Sequence, residues 1–450
     1  MTKVAGFDVF PLHFDGGGAR KTPAEFDALK AHVTASGATD LVTIAHGFRN
    51  SEHDASTLYE EFLTNFRAHL ARPELAALNG RRFVVAGVFW PSKAFAENAQ
   101  DKQGGVQGLD GADGAAERAA VEAQLRDLLD DDATADEKAA VTKALGLLDT
   151  IEHSRQAQDE LVDTLLTLAG TPPANDDDGL TAIRAQAGSD VLAKLDTPIL
   201  LPTAPPDDGD GGVTSVGGAT GGAGDGGVLG IGGFFASVFG KVGTFLNLTT
   251  WYLMKNRSGT VGIKGLAPVI RELKAAAPAL RVHVVGHSLG GRLSAACAKA
   301  LSAAPMLQPD SLSLLEAAFS HYGFAADNGD GRPGFFRDVL GKKVVRGPLI
   351  STYSMQDTVV GTVYAVASRL ADDNVNAIGD EHDKYGGIGR NGTQKTAEHF
   401  REALHTPGAA YALSTGIVHD LDGSGGLITS HGDVRNPAVT YAVASAIAAT

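Results

Sequence analysis

The sequence predicts an α/β fold: a mostly parallel central sheet with helices on both faces, plus a large, mainly helical insertion. Three observations predict it. Strand-like runs alternate with helical stripes towards both ends of the chain. The run RFVVAGVFW is apolar throughout and stops at Pro91, as a strand buried on both faces does. Between the two ends lies a stretch of different composition, rich in Ala, Leu and Asp.

The elements follow in order. FDVFPLHF and DLVTIAHG read as strands, because β-branched and aromatic residues are closed by turn residues. Leu58, Phe62, Phe66 and Leu70 recur every four residues and predict a helix between His53 and Leu70. Residues 1–95 therefore begin a doubly wound core, which resumes over 235–450. In between, 96–200 reads as a helical insertion able to act as a cap, with helices over Ala115–Leu129, Ala135–His153 and Gln156–Leu168. The acidic clusters Asp130–Asp132 and Asp176–Asp178 read as solvated loops. Residues 201–234 are dominated by Gly, Asp and Pro and read as a flexible linker. In the second core piece, helices are expected at Val261–Ala277, Gly290–Ala304, Tyr364–Asp372 and Ala438–Ala449. Strands are expected at RVHVVGHS, SLSLLEAAFS, KVVRGPLISTYSMQD and Thr415–Leu421. No internal repeat is visible.

Val228–Met254 is apolar over a membrane span's length, but Lys241 stands near its centre and glycine recurs. A lysine at mid-bilayer costs roughly 2.5–3.5 kcal/mol. The segment reads as a buried or lid-like helix, with membrane contact as the alternative and a span the least expected. The N-terminus has no apolar run of signal-peptide length before Asp8, which makes the cytoplasm the expected location; export without a signal would leave no mark. Cys297 is the single cysteine and forms no internal disulfide. The net charge of −15, from 38 Lys and Arg against 53 Asp and Glu, is wrong for nucleic acid, whose binding needs cations to replace counterions.

The chemistry concentrates in Gly286-His287-Ser288-Leu289-Gly290, a G-x-S-x-G pentapeptide between an apolar strand and an Ala-rich helix. With 56 glycines in the chain the pentapeptide alone is ordinary; its strand–turn–helix setting makes it specific. Such a turn holds a serine in strained geometry at a helix N-terminus, where amide dipoles face developing negative charge. A serine hydroxyl needs a base, and in this arrangement the chain order is Ser, acid, His. Asp357 ends a strand-like run and is the expected acid, although an N-cap is its other reading; Asp327 and Asp383 lie in glycine-rich loops and are weaker. His431, after the last strand, is the expected base; His419 is the rival inside that strand. The amides of Leu289 and Phe48 are the expected oxyanion donors, with Gly47 letting the backbone approach substrate and His46 ordering the loop. Asp420-Leu421-Asp422-Gly423-Ser424-Gly425 echoes an EF-hand loop, but the twelfth position is His431 where a bidentate Glu is needed, so no metal is expected. There is no HExxH or GxxxxGK[ST] motif, and GGIGRNG follows no long strand. No cofactor is therefore expected.

The combination HGFRNS, FVVAGVFWPS, GHSLGGR and LLEAAFSH resembles bacterial serine-esterase-like α/β hydrolases over about residues 40–95 and 260–450. The resemblance implies the α/β-hydrolase fold, with Ser288 as nucleophile, Asp357 as acid, His431 as base, and Phe48 and Leu289 as oxyanion donors. It does not imply a substrate. HDKYGGIGRNG also looks like a recurring family segment, with no role assigned. The expected reaction is hydrolysis of a carboxylic ester, of a small molecule or a lipid, through an acyl-enzyme. An apolar cap would favour a long acyl chain. An amidase or peptidase using the same triad, and a non-catalytic scaffold that recruits partners through the insertion, are the alternatives.

Overall fold

The computed structural model describes residues 1–92, 114–129, 133–172, 177–196, 200–202, 213–215, 237–371 and 380–450. Its strands are β1 (Thr2–Val4), β2 (Phe7–His13), β3 (Asp40–Ala45), β4 (Phe83–Phe89), β5 (Leu200–Pro202), β6 (Val213–Ser215), β7 (Arg281–His287), β8 (Ser311–Leu315), β9 (Leu349–Tyr353), β10 (His399–Ala403) and β11 (Val418–Asp422). Nine of them form one sheet in the order β1-β2-β4-β3-β7-β8-β9-β11-β10. Only β1 is antiparallel to its neighbour; every other pairing in the sheet is parallel. The protein is thus α/β with a mostly parallel sheet, as expected.

The chain divides into two compact units: Met1–Ser92, Arg257–Asp357 and Gly387–Thr450 in one, Lys93–Asn256 and Thr358–Gly386 in the other. This differs from the expected division. Residues 235–256 and 358–386, expected in the core, cluster with the helical middle of the chain.

In the first unit, hydrophobic alternation sets the packing. Val42, Ile44, Val85, Val285, Leu315, Ile350 and Leu421 join helices Glu52–His69 and Pro437–Ala448 in one core cluster. Leu41, Val84, Val284, Leu314 and Leu349 point the other way along the same strands and are equally buried, so the sheet is covered on both faces. This explains the unbroken apolar runs. Pro11 is tolerated in β2 because β1 pairs only as far as Val9, which leaves Pro11 on an open edge. The helix expected at Val261–Ala277 is a π-helical turn, Val261–Leu266, running into an α-helix, Ala267–Ala276. The turn packs against helix Leu289–Leu301 so closely that a Cβ on Gly262 would lie 2.2 Å from the Leu293 carbonyl oxygen.

The second unit holds the helices Gly114–Asp127, Ala135–Leu147, Arg155–Leu168 and Thr358–Ala371 and the ribbon of β5 with β6. Of 228–254, residues 237–254 fall among the described residues. They open the helix Val238–Thr260, in which Phe239, Val242, Phe245, Leu246, Trp251 and Met254 are all buried. Lys241 is neutralised by an ion pair with Asp196. Among the described residues no helix is long and apolar enough to cross a membrane. Asp177 and Asp178 are buried, contrary to the solvated loop expected of them. Asp178 pairs with the equally buried Lys255 and accepts a 2.9 Å hydrogen bond from the Tyr364 hydroxyl. Asp130–Asp132, Asp176 and most of 201–234 lie outside the described residues.

Candidate active site

The sheet order reverses direction between β3 and β7, and the loops that follow these two strands sit on the same rim. In open parallel sheets this is where ligands bind. Ser288 follows β7 directly at φ 57°, ψ −126°, outside the conformations that L-residues ordinarily adopt. Its backbone is held on three sides. The Ser288 amide donates to the Leu315 carbonyl oxygen at 3.0 Å. The Ser288 carbonyl oxygen accepts from the amides of Gly291 at 2.9 Å and Ala318 at 3.0 Å. The flanking glycines are required by close approach. A Cβ at Gly286 would sit 2.1 Å from the Gly290 carbonyl oxygen, and one at Gly290 would sit 2.2 Å from that of Ala45.

The expected acid and base meet. His431 Nδ1 and Asp357 Oδ2 are 2.8 Å apart, with Asp357 fully buried. An ionised carboxylate only accepts, so Nδ1 carries the proton and Nε2 is left as the basic nitrogen. The Asp357 loop is fixed by its amide donating to Ser354 O and by Arg390, which donates to the carbonyl oxygens of Met355 and Asp357. Asn436 caps helix Pro437–Ala448 and donates to Leu427 O at 2.7 Å, closing the loop that carries His431. His287 packs its ring 4.6 Å from that of His431, and its Nε2–H donates to the His431 carbonyl oxygen at 2.9 Å. Burial, and then the neighbouring His431, push the His287 pKa well below its ordinary value, so it stays neutral. Among the described residues no hydrogen bond joins Ser288 Oγ to His431; in unliganded sites such bonds are often long and tighten when substrate binds.

The His46-Gly47-Phe48 loop lies against the serine: a Cβ on Gly47 would be 2.7 Å from Ser288 Cβ. His46 orders this loop, as expected. Its ring stacks on Trp90, Nδ1–H donates to Gly47 O at 3.0 Å, and the Trp90 indole N–H donates to His46 O at 3.0 Å. Burial lowers its pKa to about 4, so it is a neutral hydrogen-bonding strut. The amides of Phe48 and Leu289 find no acceptor among the described residues, which leaves both free to donate.

Comparison with protein-family models, with curated proteins and with solved structures finds no match. What the site can do therefore rests on its own geometry.

The rival residues are occupied elsewhere. His419 is buried in β11 and accepts from the Ser414 amide at 2.9 Å. Asp327 accepts from the amides of Gly329 and Gly331 within its own turn. Asp383 belongs to the second unit and accepts from the Ser368 hydroxyl. In the EF-hand-like stretch, Asp420 is buried in β11 and binds Thr393, while Asp422 accepts from the Ser424 amide. One residue escaped the sequence reading. Glu316, at the tip of β8, is fully buried with a carboxylate oxygen 3.9 Å from His431 Nδ1. Glu316, Asp357 and His431 are the one group among the described residues whose donor atoms, all within 4.8 Å of one another, could hold a metal. Nδ1, however, is already committed to Asp357. The GGIGRNG segment also gains a place. Gly389 donates to Ala317 O and accepts from the Ser354 amide, tying the turns after β8 and β9 together.

Proposed function

We propose that this chain is a serine hydrolase of the α/β-hydrolase type that cleaves carboxylic esters through an acyl-enzyme. The observation that carries the reading is the convergence on one rim of a strained Ser288, a His431–Asp357 pair and two uncommitted amides. A structural turn needs neither the pair nor the uncommitted amides.

In this reading Ser288 Oγ attacks the ester carbonyl carbon while His431 Nε2 takes its proton. The oxyanion of the tetrahedral intermediate accepts from the Phe48 and Leu289 amides, a contribution of about 2.7–4 kcal/mol per donor in well-studied hydrolases. His431 then returns the proton to the leaving alkoxide, and water repeats the sequence to release the acid. Asp357 keeps Nδ1 protonated and so keeps the tautomer correct. Ester substrates are favoured over amides because an alkoxide is a better leaving group than an amide anion and so needs less help from the His431 proton. The test is hydrolysis of p-nitrophenyl esters from acetate to octanoate by the wild type and Ser288→Ala. Turnover confined to the wild type supports the reading, and equal rates overturn it. A rise with chain length would extend the substrate class to long acyl esters.

A further inference from the structure

Glu316 combines three costs at one position. It has φ 42°, a left-handed conformation that costs a non-glycine residue on the order of 1–3 kcal/mol. Its side chain is fully buried. Neither carboxylate oxygen has a hydrogen-bond partner among the described residues, and such burial is unfavourable for any carboxyl group. The chain nevertheless builds a seat for it. The Glu316 amide donates to the carbonyl oxygen of Thr352 at 3.1 Å. Residue 389 is a glycine where a Cβ would lie 2.5 Å from the Glu316 carbonyl carbon. The seat aims the carboxyl at the side of the His431 ring that Asp357 already holds, 3.9 Å against 2.8 Å from Nδ1.

We propose that Glu316 is a second acidic partner of His431, a positioning residue able to hold Nδ1–H in the place of Asp357. The inference rests on the hydrolase reading above. Two carboxylates this close in a buried site do not both ionise. Asp357 has the hydrogen bond and takes the charge, so Glu316 is the neutral acid of the pair. Burial pushes its pKa well above the ordinary value, and the charges of Asp357 and Asp433 add to the push. Removing the charge at 357 removes one of these causes. Glu316 then loses its proton to solvent at lower pH and needs to close only about 1 Å to accept from Nδ1–H.

The experiment compares kcat/KM from about pH 6 to pH 9 for the wild type, Glu316→Gln, Asp357→Asn and the double variant. Loss of the only triad acid costs on the order of 10⁴-fold in well-studied proteases. Here the double variant should show that full loss. Asp357→Asn alone should stay at least about tenfold more active, with the gap widening as pH rises. A purely structural Glu316 would not produce that pH-dependent gap. The low-field Nδ1 proton resonance of His431 provides a readout independent of turnover: it should persist in Asp357→Asn at high pH and vanish in the double variant. Identical profiles for the two Asp357 variants, with no such resonance in either, would overturn the proposal. A fluorophosphonate probe separates the two levels. A wild type that does not label refutes the hydrolase reading and this proposal with it. A wild type that labels, but whose Asp357 variants coincide, refutes the role of Glu316 alone.

Discussion

Gly47→Ala should leave the protein folded and sharply reduce its activity. The added methyl would sit 2.7 Å from Ser288 Cβ and 3.1 Å from its Oγ, whereas ordinary contact begins near 3.4 Å. Either the HGF loop retreats or the serine does, by roughly 0.7 Å, and neither can absorb the change cheaply. The loop is pinned by His46 stacked on Trp90, and the serine backbone by Leu315, Gly291 and Ala318. Overpacking of this kind costs about 1–3 kcal/mol of stability, which a chain of this size survives. Displacement of a nucleophile from its oxyanion donors by that distance costs on the order of 10²-fold in kcat/KM. The assay is p-nitrophenyl acetate hydrolysis beside a thermal melt. A folded Gly47→Ala protein with activity within about threefold of wild type would show that the loop after β3 does not face the reacting serine.

Other outcomes follow from the same packing. His283 is fully buried with Nε2 3.0 Å from Asp40, and burial lowers its pKa below the ordinary 6.5. The unfolded chain therefore takes up this proton first. His283 contributes its full stability above pH 6.5, and that contribution falls by up to about 1.4 kcal/mol per pH unit below it. Denaturant titrations at pH 7 and pH 5 should show a drop that is smaller in His283→Gln, the remainder coming from other buried histidines such as His46 and His287. In the second unit, Lys255→Met strands the buried Asp178 and should cost about 3–5 kcal/mol, with Asp178→Asn recovering much of it; equal stability of the single and double variants would refute the pairing. Gly290→Ala, whose Cβ would lie 2.2 Å from the Ala45 carbonyl oxygen, should fail to fold to a soluble protein.

The central strands were legible because burial on both faces forces the apolar runs of β3, β4 and β7, whatever surrounds them. Ser288, Asp357 and His431 were legible as candidates that would meet because each follows a strand, and parallel strands deliver their C-terminal ends to one rim. The failures have the same physical root. SLSLLEAAFS reads as one strand to Ser320, but pairing stops at Leu315. That hid Glu316, which occupies a strand tip just as Asp357 occupies a turn beyond one. Strand β10 went unseen because HFREA is an edge strand with both charged residues and an exposed Phe400, so no apolar alternation marks it. Asp178 looked solvated because its partners, Lys255 and Tyr364, are far away in sequence and only the fold brings them together. The unit boundary at Asp357 was invisible for a related reason: the helix Thr358–Ala371 is as apolar as a core helix and gives no compositional warning that it belongs to the second unit.

Whether Ser288 is a reactive nucleophile can be read from the intact mass after treatment with a fluorophosphonate. The wild-type chain should gain one adduct, mapped to Ser288, lost in Ser288→Ala and strongly slowed in His431→Ala. A wild type that gains no mass, or a Ser288→Ala protein that labels as fast as the wild type, would contradict that role for Ser288.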